Sequence, residues 1–462
     1  MPSDRPVADL VIDRADVGGA LVTVEVAGAT VTYCGPARDV IASERVDAGG
    51  GAVLPGLHDH HIHLLATAAL ASSVVLGAGS VEAAMQAAAG PRSRGEWVRA
   101  VGYHEDLTGG QLLDRAMLDE MVPHHPIRVQ HRTGMLWVLN SAALATLPAD
   151  LPAGAEQDDA GVPNGRFWRE DRWLQDHTPA DVPDVQPVLR SLLARGVTSV
   201  TDMTPFATTG DWSVLAAAVA GSDVRVIAAG SPALAGEPCP SPLSPGPVKL
   251  VFDEADLPTF DDVVTLVAAA HSAGKVVAVH CVTRAVLAYA VAAFESAGTL
   301  RGDRIEHGAV VPPDLEDAVR RLGLAVVTQP GFLCTRGEQY RRDVDADDLP
   351  HLWPCRSLLD AGIPVAGSSD APYGPLDPWL SIATAVTRRT QAGEPLGEHE
   401  AVDAATALGL WLAPPGRPEA PPRRVEPGAP ADLCILDRPL AAALTNPAAV
   451  QVLRTVTPTR PS

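Results

Sequence analysis

Eight short strand-like runs, several of them separated by amphipathic helical stretches, constrain this chain more than any other feature. They are Leu57–His63, Val197–Asp202, Val224–Ala229, Val248–Phe252, Val276–His280, Arg304–His307, Ala325–Gln329 and Pro364–Ser368. Amphipathic stretches separate several of them. Residues Phe260–Ser272 place Val263, Val264, Leu266, Val267 and Ala270 on one side and stop before Gly274. Arg284–Ser296, Pro313–Leu322 and Cys355–Ala361 behave alike, the last ending at Gly362. Strand, helix, glycine, strand is the βα unit, and its repetition implies a parallel sheet with helices outside. Eight units suggest closure into a (β/α)8 barrel.

The 462 residues exceed what such a barrel needs, which is about 250. The surplus has two expected homes. Before Leu57 the chain reads as short strands, Ala8–Asp13, Leu21–Val26 and Thr30–Tyr33, between glycine turns. Near its end Ala431–Asp437 and Val450–Val456 read likewise. We expect residues 1–54 and 426–462 to form one small composite β domain resembling a sandwich, with the barrel spanning 55–425. Residues of about 80–190 break the βα rhythm. They hold two strand-like pieces, Trp97–Gly102 and Ile127–Gln130, and the stretch Phe167–Trp173. They read as an insertion after the first barrel strand, at the end where barrel loops form the active site, placed to become a lid or a substrate wall. The proline-rich stretches 231–247 and 413–430 read as loops or linkers.

Several barrel runs end in polar residues suited to one site. His61 and His63 are spaced i, i+2 on the first, so both imidazoles can reach one metal ion. Lys249 lies on the fourth, His280 ends the fifth, His307 ends the sixth and Asp370 follows the eighth. All lie at or near the end that faces a barrel's mouth. A metal held there with an open position activates a water, and Asp370 is placed to take its proton and pass it to a departing amine or alcohol. His58 and His60 have the opposite parity and are expected to point away; Asp59 shares the ligands' parity and can orient one of them. Thr283, Arg284, Gln329 and Pro330 are candidates to line the pocket, and His104 and His131 end the two strand-like pieces of the insertion.

These motifs resemble the amidohydrolase superfamily, most closely amidohydrolase family 3, its YtcJ-like branch. The resemblance rests on VLPGLHDHHIHL (53–64), GVTSVTD (196–202), VKLVFDE (248–254), AVHC (278–281), RIEHGAVV (304–311), VAGSSDAP (365–372) and PGAPADLCILD (427–437), with NSAAL (140–144) inside the insertion. It implies that His61, His63, His280 and His307 are metal ligands. It implies that Lys249 is carboxylated on its amine and bridges two ions, and that Asp370 is both ligand and general base. The implied cofactor is a divalent metal of the zinc type, one or two ions. The chain departs from the branch at Met135, where a histidine is usual, at Asp253-Glu254, and at Thr406–Trp411.

The expected activity is hydrolysis of a non-peptide C–N bond in a small molecule (amide, formamide or cyclic amide) by metal-activated hydroxide. An esterase or lactonase on the same site is the alternative, and a barrel that has lost catalysis and serves in binding or assembly is the remote one. A net charge of −21, from 56 acidic and 35 basic residues, leaves no basic stripe for nucleic acid. No long uninterrupted apolar run or leader-like N-terminus appears, so neither a membrane partner nor secretion is expected. Six scattered cysteines without a CxxC pair fit reduced thiols in the cytoplasm. A homodimer is among the assemblies the sequence allows.

Overall fold

A computed structural model describes residues 7–71, 73–77, 80–90, 96–178, 182–252, 254 and 256–457. Asp253, the outer ends of the expected β domain (1–6 and 458–462), and residues 91–95 and 179–181 of the expected insertion lie outside the described residues. The chain divides into two compact units, one of residues up to Leu64 together with Val185 onward, the other Leu65–Asp184.

The first unit holds the eight expected strands: β1 (Leu57–Ile62), β2 (Val197–Asp202), β3 (Arg225–Gly230), β4 (Ser244–Leu250), β5 (Val277–Cys281), β6 (Arg304–His307), β7 (Ala325–Thr328) and β8 (Val365–Gly367). Each pairs in parallel with its sequence neighbour, so the sheet runs β1 to β8 in order. The segment after β8 returns to β1. The Asp370 amide donates to the His61 carbonyl at 2.8 Å, and the His63 amide to the Ala371 carbonyl at 2.9 Å. The result is a nearly closed (β/α)8 barrel. Residues of β1, β2, β6, β7 and β8 are buried throughout, as expected of strands covered on both faces.

Helices follow where the periodicity places them. Phe260–Ser272 starts at Thr259, whose hydroxyl accepts from the Asp262 amide, and buries Val263, Val267 and Ala270. Arg284–Ala297 and Pro313–Leu322 follow β5 and β6. One expectation shifts: β4 starts at Ser244, inside the stretch read as a loop. Pro245 lies opposite Ala228, and Pro247 falls in the register shift before Val248, an irregularity of the kind where sheet prolines are tolerated.

The two ends of the chain meet in small sheets. Val7–Val17, Ala20–Ala27, Thr30–Gly35 and Ile41–Asp47 form one sheet of four; Val53–Pro55, Leu433–Leu436 and Val452–Val456 form one of three. Leu433 pairs with Pro55 and Ile435 with Val53, joining N-terminal to C-terminal chain. Ile12, Val24, Val31, Val53, Leu433 and Ile435 share one core across both sheets.

The second unit begins earlier than 80 and is more regular than its sequence reads. It contains a six-stranded sheet in the order Ala155–Gln157, Pro163–Trp168, Leu136–Leu139, Ile127–His131, Val98–Tyr103, Val74–Val75. Its core includes Met85, Tyr103, Leu113, Ile127, Val129 and Val138. Gly165, at φ +91°, lets Pro163–Trp168 pass beneath the Leu139 carbonyl; a Cβ there would lie 2.3 Å from that oxygen. The aromatic stretch is packing: Phe167 is buried and stacks on Trp173 at 6.0 Å. Among the described residues no helix is long and apolar enough to cross a membrane.

Candidate metal centre

The six residues singled out on five barrel elements come together at one end of the sheet. Nε2 of His61 and of His63 lie 3.5 and 3.1 Å from Asp370 Oδ1. These three side chains offer donor atoms within 4.8 Å of one another. The His307 ring stands 4.7 Å from that of His61 and 4.5 Å from that of His280. Lys249 is 4% exposed, and its charge acts on His61, His280 and His307 alike.

Neighbouring groups fix which nitrogen each ring presents. His61 Nδ1 lies 2.6 Å from Glu306 Oε2, and His307 Nδ1 lies 2.9 Å from Gln329 Oε1. With a carboxylate and an amide oxygen as acceptors, both rings carry their proton on Nδ1 and keep the Nε2 lone pair free. Burial, reinforced by nearby cations and rings, holds His61 and His307 well below the ordinary imidazole range and brings His280 to about 3. The imidazoles are therefore neutral, the form that binds metal.

The backbone is unusual at two of these positions. His307 has φ +71° and Asp370 φ +50°, the left-handed region that residues with a Cβ adopt at a cost. At His307 this has a visible use. Neighbours on a regular strand point to opposite faces, yet Glu306 and His307 both contact His61. The left-handed turn breaks the alternation and brings both side chains to one side.

Glu306 is the residue that sequence reasoning missed. It is fully buried, accepts from His61, and pairs with Arg304 Nε at 2.5 Å. Its motif, RIEH, was visible; its parity, judged against His307, pointed the wrong way. Asp59 orients the site from the other side. Its Oδ1 accepts from the amides of His61 at 3.2 Å and Ser369 at 3.0 Å, tying β1 to the segment that carries Asp370. Burial pushes its pKa up to about 7 against the pull of Ser369. His58 does turn away, onto the hydroxyls of Ser199 at 2.8 Å and Thr201 at 2.9 Å. Three expected pocket residues have other partners: Thr283 caps the helix that starts at Arg284, Arg284 pairs with Asp348 at 2.6 Å, and Gln329 is fully buried on His307 and Ser368.

Two atoms test whether these residues suit a cation. Lys249 Nζ and Asp370 Oδ1 are both buried without a hydrogen bond. Such atoms are rare in folded proteins unless something else engages them. Burial lowers the Lys249 ammonium to about 8, although Glu306 and Asp370 pull the other way. Neutral imidazoles, an unsatisfied carboxylate oxygen and an amine near neutrality are a donor set that fits a divalent ion of the zinc type.

A parallel barrel with such a donor set at one end of its strands is the architecture of a metal-dependent hydrolase. The sequence model of the amidohydrolase family matches residues 44–457, and the chain belongs to that family. It is 35% identical over 158 residues to the N-substituted formamide deformylase of Arthrobacter pascens, a match covering 33% of this chain and 29% of that one. It is 29% identical over 151 residues to the putative amidohydrolase YtcJ of Bacillus subtilis, covering 32% and 28%. The matched stretches thus span under a third of these curated relatives. Over nearly its full length the fold resembles a metal-dependent hydrolase of Pyrococcus horikoshii, with TM-score 0.73, 22% identity, and 94% and 97% of the two chains covered. It also resembles N-isopropylammelide isopropylaminohydrolase of Burkholderia multivorans, with TM-score 0.56, 16% identity, and 97% and 96% covered. At these identities the likeness speaks for the fold.

Proposed function

We propose that this protein hydrolyses a non-peptide C–N bond of a small molecule, with an amide or formamide as the substrate class, and that Asp370 is its general base. The convergence of His61, His63 and Asp370 on one point carries the reading. The formamide preference comes from the deformylase relative, which shares about a third of this chain.

The residues suited to hold metal are His61, His63, Lys249, His280, His307 and Asp370, with zinc the natural choice for four imidazoles and a carboxylate. A bound divalent ion supplies two things here, acidification of water towards a pKa of about 7 and polarisation of a carbonyl oxygen. The chain supplies the rest. Asp370, with Oδ1 unsatisfied, takes a proton from the attacking water and returns it to the departing nitrogen, which leaves as an amine. Glu306 and Gln329 hold His61 and His307 in one tautomer, with Nε2 turned to the centre as a ligand atom. Lys249, lowered to about 8, has a larger neutral fraction than an ordinary lysine, and the neutral amine is the form that would take up CO2 to give a carbamate, an anionic ligand in place of a cation. The partner is then a small molecule in the cytoplasm. The barrel of 55–425 carries the chemistry, with the ends 1–54 and 426–462 forming the composite β domain beside it.

The test is Asp370→Asn, assayed on N-formyl amines, N-acyl amines and simple lactones. Turnover should vanish while the fold and bound metal persist. Activity surviving in this variant would remove Asp370 from its role, and turnover of lactones alone would replace the amide reading with the esterase one.

A further inference from the structure

Of the five histidines in the second unit, none of which the barrel chemistry uses, two lie side by side. His104 follows strand Val98–Tyr103 and His131 ends strand Ile127–His131. The strands are parallel neighbours, with Tyr103 opposite His131 in the ladder. Sheet topology, rather than sequence proximity, thus sets the two rings 5.5 Å apart. Glu105, the first residue of the turn Glu105–Thr108, reaches between them. Its Oε2 lies 3.3 Å from His104 Nε2 and 3.2 Å from His131 Nε2.

We propose that His104, Glu105 and His131 form a second divalent-metal site, built from residues of the second unit alone and selective for zinc-type ions, with three protein ligands and one open position. All three donor atoms fall within 4.8 Å of one another. Ligands that share a tetrahedral ion at about 2.0–2.1 Å stand roughly 3.3 Å apart, which is the spacing of both nitrogens from the carboxylate oxygen. Two imidazoles and one carboxylate favour borderline ions over magnesium or calcium, which take oxygen ligands.

The surrounding atoms are suited to this role. A histidine that binds through Nε2 must carry its proton on Nδ1, and that proton needs an acceptor. His104 Nδ1 lies 3.3 Å from Asp106 Oδ2, and His131 Nδ1 lies 2.8 Å from Thr133 Oγ1. Without an ion the same nitrogens accept from the amides of Asp106 and Thr133, at 3.2 and 3.3 Å, and the Nε2 protons point at Glu105. Binding through Nε2 therefore moves each ring's proton to Nδ1, and the amides of Asp106 and Thr133 give up those nitrogens as acceptors. Glu105 is ionised in either state. Its partial burial works against this, but its own backbone amide and His131 outweigh burial and hold it below the ordinary carboxylate range. Burial also lowers His131, which keeps the ring neutral. Arg132 is a nearby cation and opposes binding. Glu105 and Asp106 set two negative charges against it. The side chains of His104 and Glu105 are 24% and 34% exposed, so an ion has a route in.

The test counts zinc on the full-length protein. Chains freed of metal with a chelator are equilibrated with excess Zn2+, desalted and analysed for zinc per chain. The double variant H104Q/H131Q should hold one equivalent less than the wild type. The barrel variant H61Q/H63Q should keep that equivalent, and loaded with Co2+ it should show the intense visible bands of a four-coordinate ion. Glu105→Gln leaves both rings and removes only the charge. It should weaken this site's zinc affinity by at least 10-fold with an unchanged circular dichroism spectrum. Equal zinc in H104Q/H131Q and wild type, or wild-type affinity in Glu105→Gln, would overturn the assignment. So would equal uptake of Mg2+. None of these outcomes depends on whether the barrel proves to be an amidase.

Discussion

Replacing Glu306 with glutamine should separate the two tasks of that buried carboxylate. In the native protein it accepts from two donors at once, His61 Nδ1 at 2.6 Å and Arg304 Nε at 2.5 Å, and all three side chains are at most 1% exposed. Glutamine fills the same space with one acceptor oxygen and one NH2 group. With its oxygen on Arg304 its NH2 faces His61 Nδ1 and forces that ring into the opposite tautomer; turned the other way it meets the Arg304 N–H; in both cases the guanidinium loses its counter-charge. Breaking a buried pair this way costs about 3–5 kcal/mol. Losing the group that orients a histidine ligand costs about 10–100-fold in metal affinity. Both are measurable, by urea unfolding of the metal-free chains and by competition for zinc with a chromophoric chelator. A second variant, Arg304→Met with Glu306→Gln, removes the stranded cation. It should recover a substantial part of the lost stability and none of the lost zinc affinity. The reasoning is refuted if Glu306→Gln unfolds within about 0.5 kcal/mol of the wild type, the range of an ordinary surface change. It is equally refuted if the Arg304→Met partner restores zinc binding.

Acid should destabilise the metal-free chain early. His58, His60, His61, His280 and His307 all have folded pKa values below the ordinary 6.5, His60 and His280 at about 3. Between pH 6.5 and about 3 the unfolded chain takes up protons that the folded one refuses, and each such histidine lowers stability by up to ~1.4 kcal/mol per pH unit of fall. Asp59, raised to about 7, works in the opposite sense and offsets one of the five. A urea midpoint that stays flat from pH 6.5 to 4.5 would contradict this. Gly56→Ala should cost about 1–3 kcal/mol, because its Cβ would lie 2.2 Å from Thr198 Oγ1 in a buried contact, whereas Gly236→Ala, with nothing within 4 Å, should be nearly silent in the same unfolding assay. Chelation should lower the thermal midpoint of the wild type, and added zinc should restore it; a midpoint indifferent to both would speak against a resident ion.

The barrel was legible because several of its strands are buried on both faces and read as apolar runs that end in a polar residue. Val277–Cys281, ending in His280 and Cys281, is an example. The ends of the chain were legible too, since Leu433–Leu436 has only apolar residues and pairs with Val53–Pro55. The second unit hid part of its sheet. Val98–Tyr103 and Ile127–His131 read as strands, but Pro163–Trp168 does not, because Pro163 and Gly165 are residues that sequence reading takes for a turn. Glu306 was hidden by a backbone angle. Parity is the only guide to side-chain direction in a strand, and it fails where φ changes sign, as it does at His307.

That same angle bears on how the protein can be made hardier. At position 370 glycine would relieve the backbone and remove a buried carboxylate oxygen that has no hydrogen bond, whereas at 307 that relief is outweighed by loss of a buried ring packed on His61, His280 and Trp353. Selection for thermal tolerance alone would drift towards discarding the Asp370 carboxylate. A screen that means to keep the catalyst must reward turnover in the same round.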